Sequence, residues 1–288
     1  MLAVSPIDAP LGARITGVDL GRSLTESEYD AIHRAWLDYQ VLVFPDQKMT
    51  EEDQIRFTRH WGEMPVRRRY AGRREADRRS HESIMLISNI REDGKPIGSL
   101  PDGEMMFHSD GSYDEDPYRY TMLYAIDVPS QGGNTLFANL YLAWETLPDS
   151  LKAELVQVRA RHGYYAGRHV TKEIKATLGV GDEPDSFVHP LVTAHEETGR
   201  PVLYASRLLT QCLENAEEGD ALLDEILDHT EREDLIYAHR WTPGDFVIWD
   251  NRCVNHARTD FPSGERRLLR RTTVQGIRPK AAFSKEAA

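Results

Sequence analysis

Phe107-His108-Ser109-Asp110-Gly111-Ser112-Tyr113 stands just ahead of the strand-like run Tyr120-Thr-Met-Leu-Tyr-Ala-Ile-Asp-Val128. Side chains of an extended segment alternate between faces, so an imidazole and a carboxylate two positions apart can share one face. Such a pair is half of a metal site. A third ligand is available far downstream, in Trp249-Asp-Asn-Arg-Cys-Val-Asn-His256. Two imidazoles and one carboxylate on one face of an octahedron leave three positions open and suit non-haem Fe(II). His-x-Asp by itself carries little, because 11 His and 47 acidic residues make it frequent by chance. The surrounding pattern has to raise it.

Outward from this stretch, the chain reads as many short strands between Gly and Pro turns. Leu11 to Leu20 gives a strand and turn, Val41-Leu-Val-Phe44 a buried strand closed by Pro45, and Ile84 to Asn89 another. Asn134 to Ala138, Phe187 to Val192, Pro201 to Tyr204 and Arg270 to Gln275 have the same character. Tyr237 to Trp241 and Asp245 to Trp249 are expected to form a hairpin about Thr242-Pro-Gly244. Helices are expected from capping-box patterns at Thr25-Glu-Ser-Glu28 and Thr50-Glu-Glu-Asp53. Another is expected from Pro148 to about Arg161, and an amphipathic one within 214–235. The tail after Pro279 is expected to be disordered. Short strands with a few helices between them predict a mainly β fold with flanking helices, a double-stranded β-helix of the jelly-roll, cupin-like kind. One domain over 1–288 is expected, with a helical insert within 140–235.

A chain of 288 residues with 40% hydrophobic and 9% aromatic content can bury a sizeable core. A net charge of −12 argues against nucleic acid and against an anionic membrane surface. No window approaches the roughly 18 apolar residues that span a bilayer. Cys212 and Cys253 make neither a disulfide framework nor a Cys-x-x-Cys zinc site. The beginning of the chain lacks the basic and apolar regions of a signal peptide, so the expected location is the cytoplasm. Residues 67 to 79 are different: Arg67, Arg68, Arg69, Arg73, Arg74, Arg78 and Arg79 form a basic run with few apolar anchors. A solvated loop is the bland reading. The sharper one is a lid carrying an anion receptor, because the guanidinium fork binds a carboxylate or sulfonate in two places.

Four pieces in order carry a family resemblance: Phe107-His-Ser-Asp110, Gly132-Gly-Asn-Thr-Leu136, Trp249-Asp-Asn-Arg252 with His256, and Arg266-Arg-Leu-Leu-Arg-Arg271. The chain resembles the taurine dioxygenase/2,4-dichlorophenoxyacetate dioxygenase family from Gly17-Val-Asp-Leu20 to Arg278. That resemblance implies an Fe(II)- and 2-oxoglutarate-dependent dioxygenase. His108, Asp110 and His256 would be the metal ligands. Arg267 and Thr135 would hold the far carboxylate of 2-oxoglutarate. Arg271 would reach the substrate's anionic group, and on a strand its even separation from Arg267 puts both on one face. The implied reaction consumes O2, releases succinate and CO2, and hydroxylates the substrate. The presence of Asp110 favours hydroxylation over halogenation, since related halogenases lack that carboxylate.

The same resemblance places Arg67 where taurine dioxygenase has a substrate-binding His, Tyr70 at its nearby Tyr, and Asn89 among the substrate contacts. Arg67 departs from the taurine pattern, so taurine is disfavoured. With Arg271 it points to another small organic anion, a carboxylate or sulfonate of the aryloxyalkanoate or alkylsulfonate kind. A homo-oligomer, dimer or tetramer, is implied by the family alone. The competing readings are desaturation or another oxidation on the same iron site, acting on an amino-acid-like compound or secondary metabolite. A catalytically silent cupin-like binding barrel and a zinc hydrolase complete the set.

Overall fold

A computed structural model describes residues 1–65, 83–98, 103–178, 180–181 and 183–283. The first part of the chain runs β1 (Ala3–Pro6), β2 (Ala13–Thr16), α1 (Glu26–Tyr39), β3 (Val41–Phe44), α2 (Glu51–His60), β4 (Met85–Ser88), β5 (Arg91–Glu92) and β6 (Lys95–Pro96). Next come β7 (Met105–His108), β8 (Tyr118–Asp127), β9 (Thr135–Asn139), α3 (Leu140–Glu145), α4 (Asp149–Leu155), β10 (Arg159–Gly163) and α5 (Lys172–Leu178). After these follow β11 (Ser186–Pro190), β12 (Val192–Ala194), β13 (Pro201–Leu203), β14 (Thr210–Glu214) and α6 (Gly219–Thr230). The chain closes with β15 (Ile236–His239), β16 (Phe246–Asp250), β17 (Val254–Arg258), β18 (Leu268–Gln275) and β19 (Lys280–Ala281).

Two sheets form the barrel. A seven-stranded sheet has the order β1-β2-β3-β16-β8-β18-β4, and a four-stranded sheet has the order β15-β9-β17-β7. Period-two alternation assigns each face of the large sheet. Val41, Val43, Leu123, Val247, Trp249 and Leu269 point inward, where Phe137 and Val254 of the small sheet meet them. Their neighbours Leu42, Phe44, Met122, Ile248 and Val274 point outward and pack under α1 and α2. β3 is covered on both faces, which is why its sequence is an unbroken apolar run rather than an alternating one.

The two helices on the outer face begin as their sequences require. Thr25 with Glu28, and Thr50 with Asp53, make reciprocal capping boxes. Each is worth about 1 kcal/mol of helix stability. Trp36 then stacks on Tyr120 with ring centroids 4.0 Å apart, which fixes α1 on the sheet. A separate apolar cluster joins α3, α4 and α6 to β10, β12 and β13 within the 140–235 region.

Three expectations are corrected. The helix from Pro148 ends at Leu155, and Arg159–Gly163 is a strand between β11 and β14. There Ala160 and His162 are buried on alternate positions, a period the helix reading overlooked. The hairpin about Thr242-Pro-Gly244 does not form. β15 pairs with β9 in the small sheet, whereas β16 pairs with β3 and β8 in the large one. Gly244 instead exchanges backbone bonds with Ala125 and Gln47, so the turn is a corner at which the chain changes sheet. Beyond Pro279, Lys280 and Ala281 pair with β12, and the Phe283 ring lies 5.7 Å from that of Trp144. The arginine-rich run 67–79, with Arg67 and Tyr70, lies outside the described residues.

Candidate active site

His108 is the last residue of β7, and His256 lies opposite it in the antiparallel register of β17. Their ring centroids are 4.1 Å apart. Asp110 is not on the strand but in the turn that follows it, where Gly111 adopts a φ of +77°. A Cβ at Gly111 would come within 3.1 Å of the Tyr118 backbone nitrogen, so any other residue would be strained and crowded in this turn. The turn brings Asp110 Oδ1 to 3.8 Å from His108 Nε2 and Oδ2 to 3.9 Å from His256 Nε2. One ligand atom from each side chain lies within 4.8 Å of the others.

The protonation states suit a cation. Burial lowers the pKa of His108 and lowers that of His256 well below the usual imidazole value. Burial also opposes ionisation of Asp110, but Arg271, the two imidazoles and the Thr121 hydroxyl outweigh it and hold the carboxyl at about 2. Two of these touch Oδ2 directly, the Thr121 hydroxyl at 2.6 Å and Arg271 Nη2 at 2.7 Å. Two neutral imidazoles and one carboxylate are what a divalent metal requires of its ligands. His108 Nδ1 faces the Met106 carbonyl at 3.0 Å, and a proton there leaves Nε2 as the free lone pair.

A second feature is cationic. Arg267 is 2% exposed, and its Nε and Nη1 have no hydrogen-bond partner among the described residues. Burial, and then the nearby Arg258 guanidinium, bring its pKa down to about 9. A buried guanidinium with unanswered donors is costly unless an anion joins it. Gly133, at φ +63°, makes room for it: a Cβ there would lie 3.5 Å from Arg267 Cδ and 2.9 Å from Pro129 Cγ. Thr135 is 3% exposed, and its Oγ1 accepts the Trp241 indole N–H at 3.0 Å. Its own hydroxyl proton is left to donate. Arg267 and Thr135 therefore fit the carboxylate of a 2-oxo acid, and the triad fits the metal that such an acid chelates.

Arg271 lies on the inward face of β18. Besides Asp110 it approaches Met85 Sδ at 3.6 Å and stands 6.0 Å over the Tyr118 ring. The intervening Arg270 points outward and lies under α2, donating to the Met49 carbonyl and standing 4.7 Å from the Tyr124 ring centroid. Asn89 is found holding backbone. Its Oδ1 accepts the Arg267 N–H and its Nδ2 donates to the Glu265 carbonyl, each at 2.9 Å. Asn89 also lines a cavity of about 570 Å³ with Gly103, Gly132 and Phe261.

Sequence reasoning assigned no role to Thr121 or Asn251, which touch Asp110 and its turn. The available signal was a single threonine among the aromatic and aliphatic residues of β8. A second buried cluster, His195, Asp250 and Cys253, has a different meaning. Asp250 is held by Arg252 Nη2 at 2.5 Å and His195 Nε2 at 3.1 Å, so its oxygens are already taken. Arg252 continues to Glu196 and Glu197 and ties the β12–β13 hairpin to the turn before β17.

The model of the family "Taurine catabolism dioxygenase TauD, TfdA family" matches residues 3–273. The chain belongs to this family. It is 33% identical to a (S)-phenoxypropionate/alpha-ketoglutarate-dioxygenase of Sphingobium herbicidovorans over 95% of this chain and 94% of that one. It is also 33% identical to pentalenolactone F synthase of Streptomyces arenae over the whole of both chains. Among solved structures, AAD-2 in complex with Mn(II) and N-oxalylglycine superposes with a TM-score of 0.78 at 27% identity, covering 97% of this chain and 99% of that one. The fold is the family's jelly roll. The protein is a 2-oxoglutarate-dependent non-haem iron dioxygenase, using Fe(II), 2-oxoglutarate and O2. Among the described residues no helix is long and apolar enough to cross a membrane.

Proposed function

We propose that this dioxygenase hydroxylates a small organic anion, a carboxylate or sulfonate with an apolar body. His108, Asp110 and His256 hold the metal, Arg267 and Thr135 hold the far carboxylate of 2-oxoglutarate, and Arg271 receives the substrate's anionic group. The observation that carries the reading is the placement of Arg271. It is a cation inside the barrel beside Asp110, flanked by the thioether of Met85 and the ring of Tyr118. A charged head and an apolar, aryl- or alkyl-bearing tail match that wall. The phenoxypropionate relative supports the same class. Asn89, and Arg67 and Tyr70 outside the described residues, are further proposed substrate contacts. Cytoplasmic residence, homo-oligomerisation and a single domain with a lid at 67–79 belong to the same proposal. Free Cys212 and Cys253 accord with a reducing compartment.

When bound, iron with 2-oxoglutarate supplies the oxidation, inserting one atom of O2 into the substrate and the other into succinate. The chain supplies position and electrostatics. The neutral imidazoles and ionised Asp110 offer lone pairs without first losing protons. Arg267 and Thr135 fix the co-substrate's tail, so that its 2-oxo acid end is directed to the metal face. Arg271, half-buried on the inward face of β18, orients the substrate by its charge.

Succinate release should rise severalfold with aryloxyalkanoic acids and alkylsulfonates and stay at the uncoupled level with their amides or methyl esters. Stimulation by the uncharged members alone would refute the anion reading. The pentalenolactone F synthase relative supports a second reading, another oxidation on the same site. Product analysis by mass spectrometry separates it, since hydroxylation adds 16 mass units and desaturation removes 2.

A further inference from the structure

We propose that Asn251 and Thr121 form a positioning relay that commits Oδ2 of Asp110 to protein donors and presents Oδ1 to the metal. The inference rests on the reading of Asp110 as a metal ligand and adds which of its oxygens serves.

The relay starts in the turn between β16 and β17. Asn251 Oδ1 faces two donors, the indole N–H of Trp249 at 3.0 Å and the backbone N–H of Asp110 at 3.4 Å. Both are donors only, so the oxygen of the amide must lie on that side and the NH2 on the other. Nδ2 then donates to Thr121 Oγ1 at 2.9 Å. With its oxygen accepting from Asn251, the hydroxyl directs its single proton to Asp110 Oδ2, 2.6 Å away. The direction of every bond is thus set by two N–H groups that cannot reverse. Arg271 supplies a second donor to the same oxygen at 2.7 Å. Oδ2 is occupied by two strong donors while Oδ1, 3.8 Å from His108 Nε2, keeps its lone pairs.

The same asparagine anchors the other side of the turn, since its backbone carbonyl accepts the Ser109 hydroxyl at 2.7 Å. Asn251, Thr121 and Ser109 are 1%, 0% and 2% exposed, so water does not compete for these bonds. One residue of the His256 segment thereby fixes the His108-Asp110 segment. Single-oxygen coordination matters chemically, because a carboxylate binding through both oxygens would take one of the three positions that the 2-oxo acid and dioxygen need.

The test uses Mn(II) without turnover, its free concentration read by electron paramagnetic resonance on the whole chain. Thr121→Val removes the hydroxyl at nearly constant shape and should weaken Mn(II) binding by about tenfold or more. Thr121→Ser should restore most of that loss. Asn251→Asp keeps the acceptor but turns the donor into a second acceptor, so the Thr121 proton is drawn away from Asp110. It should weaken Mn(II) to a similar extent, and it serves where Thr121→Val does not fold. In both weakened variants the charge-transfer band of the anaerobic Fe(II)/2-oxoglutarate complex should also move. Asp110→Ala separates the two claims. If it binds Mn(II) as the wild type does, Asp110 is no ligand and the reading beneath the relay fails. If it loses Mn(II) while folded Thr121→Val and Asn251→Asp retain wild-type affinity and spectrum, the ligand stands and the relay is overturned.

Discussion

Arg267 has a cost in the free protein and, in the proposed function, a use in the loaded one. Its guanidinium is buried with donors unanswered. Arg267→Met should therefore leave the unliganded protein at least as stable as the wild type, because an apolar side chain of similar reach removes the desolvation cost. It should weaken 2-oxoglutarate by about 10- to 150-fold, the worth of a charged hydrogen-bonding group of roughly 1.5–3 kcal/mol. Isothermal titration with thermal unfolding of the free form checks both halves. Asp250 has the opposite character. Burial works against its charge, yet Arg252 and His195 hold its pKa below the ordinary value. A depressed carboxyl stabilises the fold above its unfolded pKa, about 3.9, and loses that contribution as pH falls towards the folded value. Asp250→Asn should cost about 3–5 kcal/mol at pH 7, since Arg252 is left without its buried partner. The gap to wild type should narrow below pH 4, as urea unfolding at the two pH values would report.

At the scale of elements, the site depends on turns more than on strands. Gly133 lets Arg267 lie against the turn before β9. Gly133→Ala imposes a left-handed residue with a Cβ, worth about 1–2 kcal/mol, and crowds Arg267 and Pro129. It should raise the dissociation constant for 2-oxoglutarate several-fold while leaving Mn(II) binding in the absence of 2-oxo acid unchanged. Elements with local signatures were legible in the sequence: both capping boxes, and β3 with its unbroken apolar run. β10 was hidden, because Arg159 and Arg161 alternating with buried Ala160 and His162 read equally well as the end of a helix. The supposed hairpin failed for a different reason. A Pro-Gly corner between two strands looks the same whether they pair or part to separate sheets, and only the partners β9, β3 and β8 decide it.

For the whole molecule, the two sheets close around an apolar core, and the polar site is assembled beside it from β7, β8, β9, β17, β18 and their turns. The triad spans 148 residues of sequence, from 108 to 256, yet its members are neighbours because β7 and β17 are paired. The motifs in the sequence name His108, Asp110 and His256, and the fold brings these three together. The support beneath them was not, since Thr121 and Asn251 acquire meaning only when β8 and the β16–β17 turn meet behind Asp110. The proposed function stands on three side chains holding one metal and on Arg267 holding the tail of its chelating 2-oxo acid. The most direct measurement is a crystal structure with Mn(II) and N-oxalylglycine, using anomalous scattering to locate the metal. It should show one anomalous peak bonded to His108 Nε2, Asp110 Oδ1 and His256 Nε2, with the inhibitor's far carboxylate on Arg267 and Thr135. A metal at His195, Asp250 and Cys253, or an inhibitor tail away from Arg267, would contradict it.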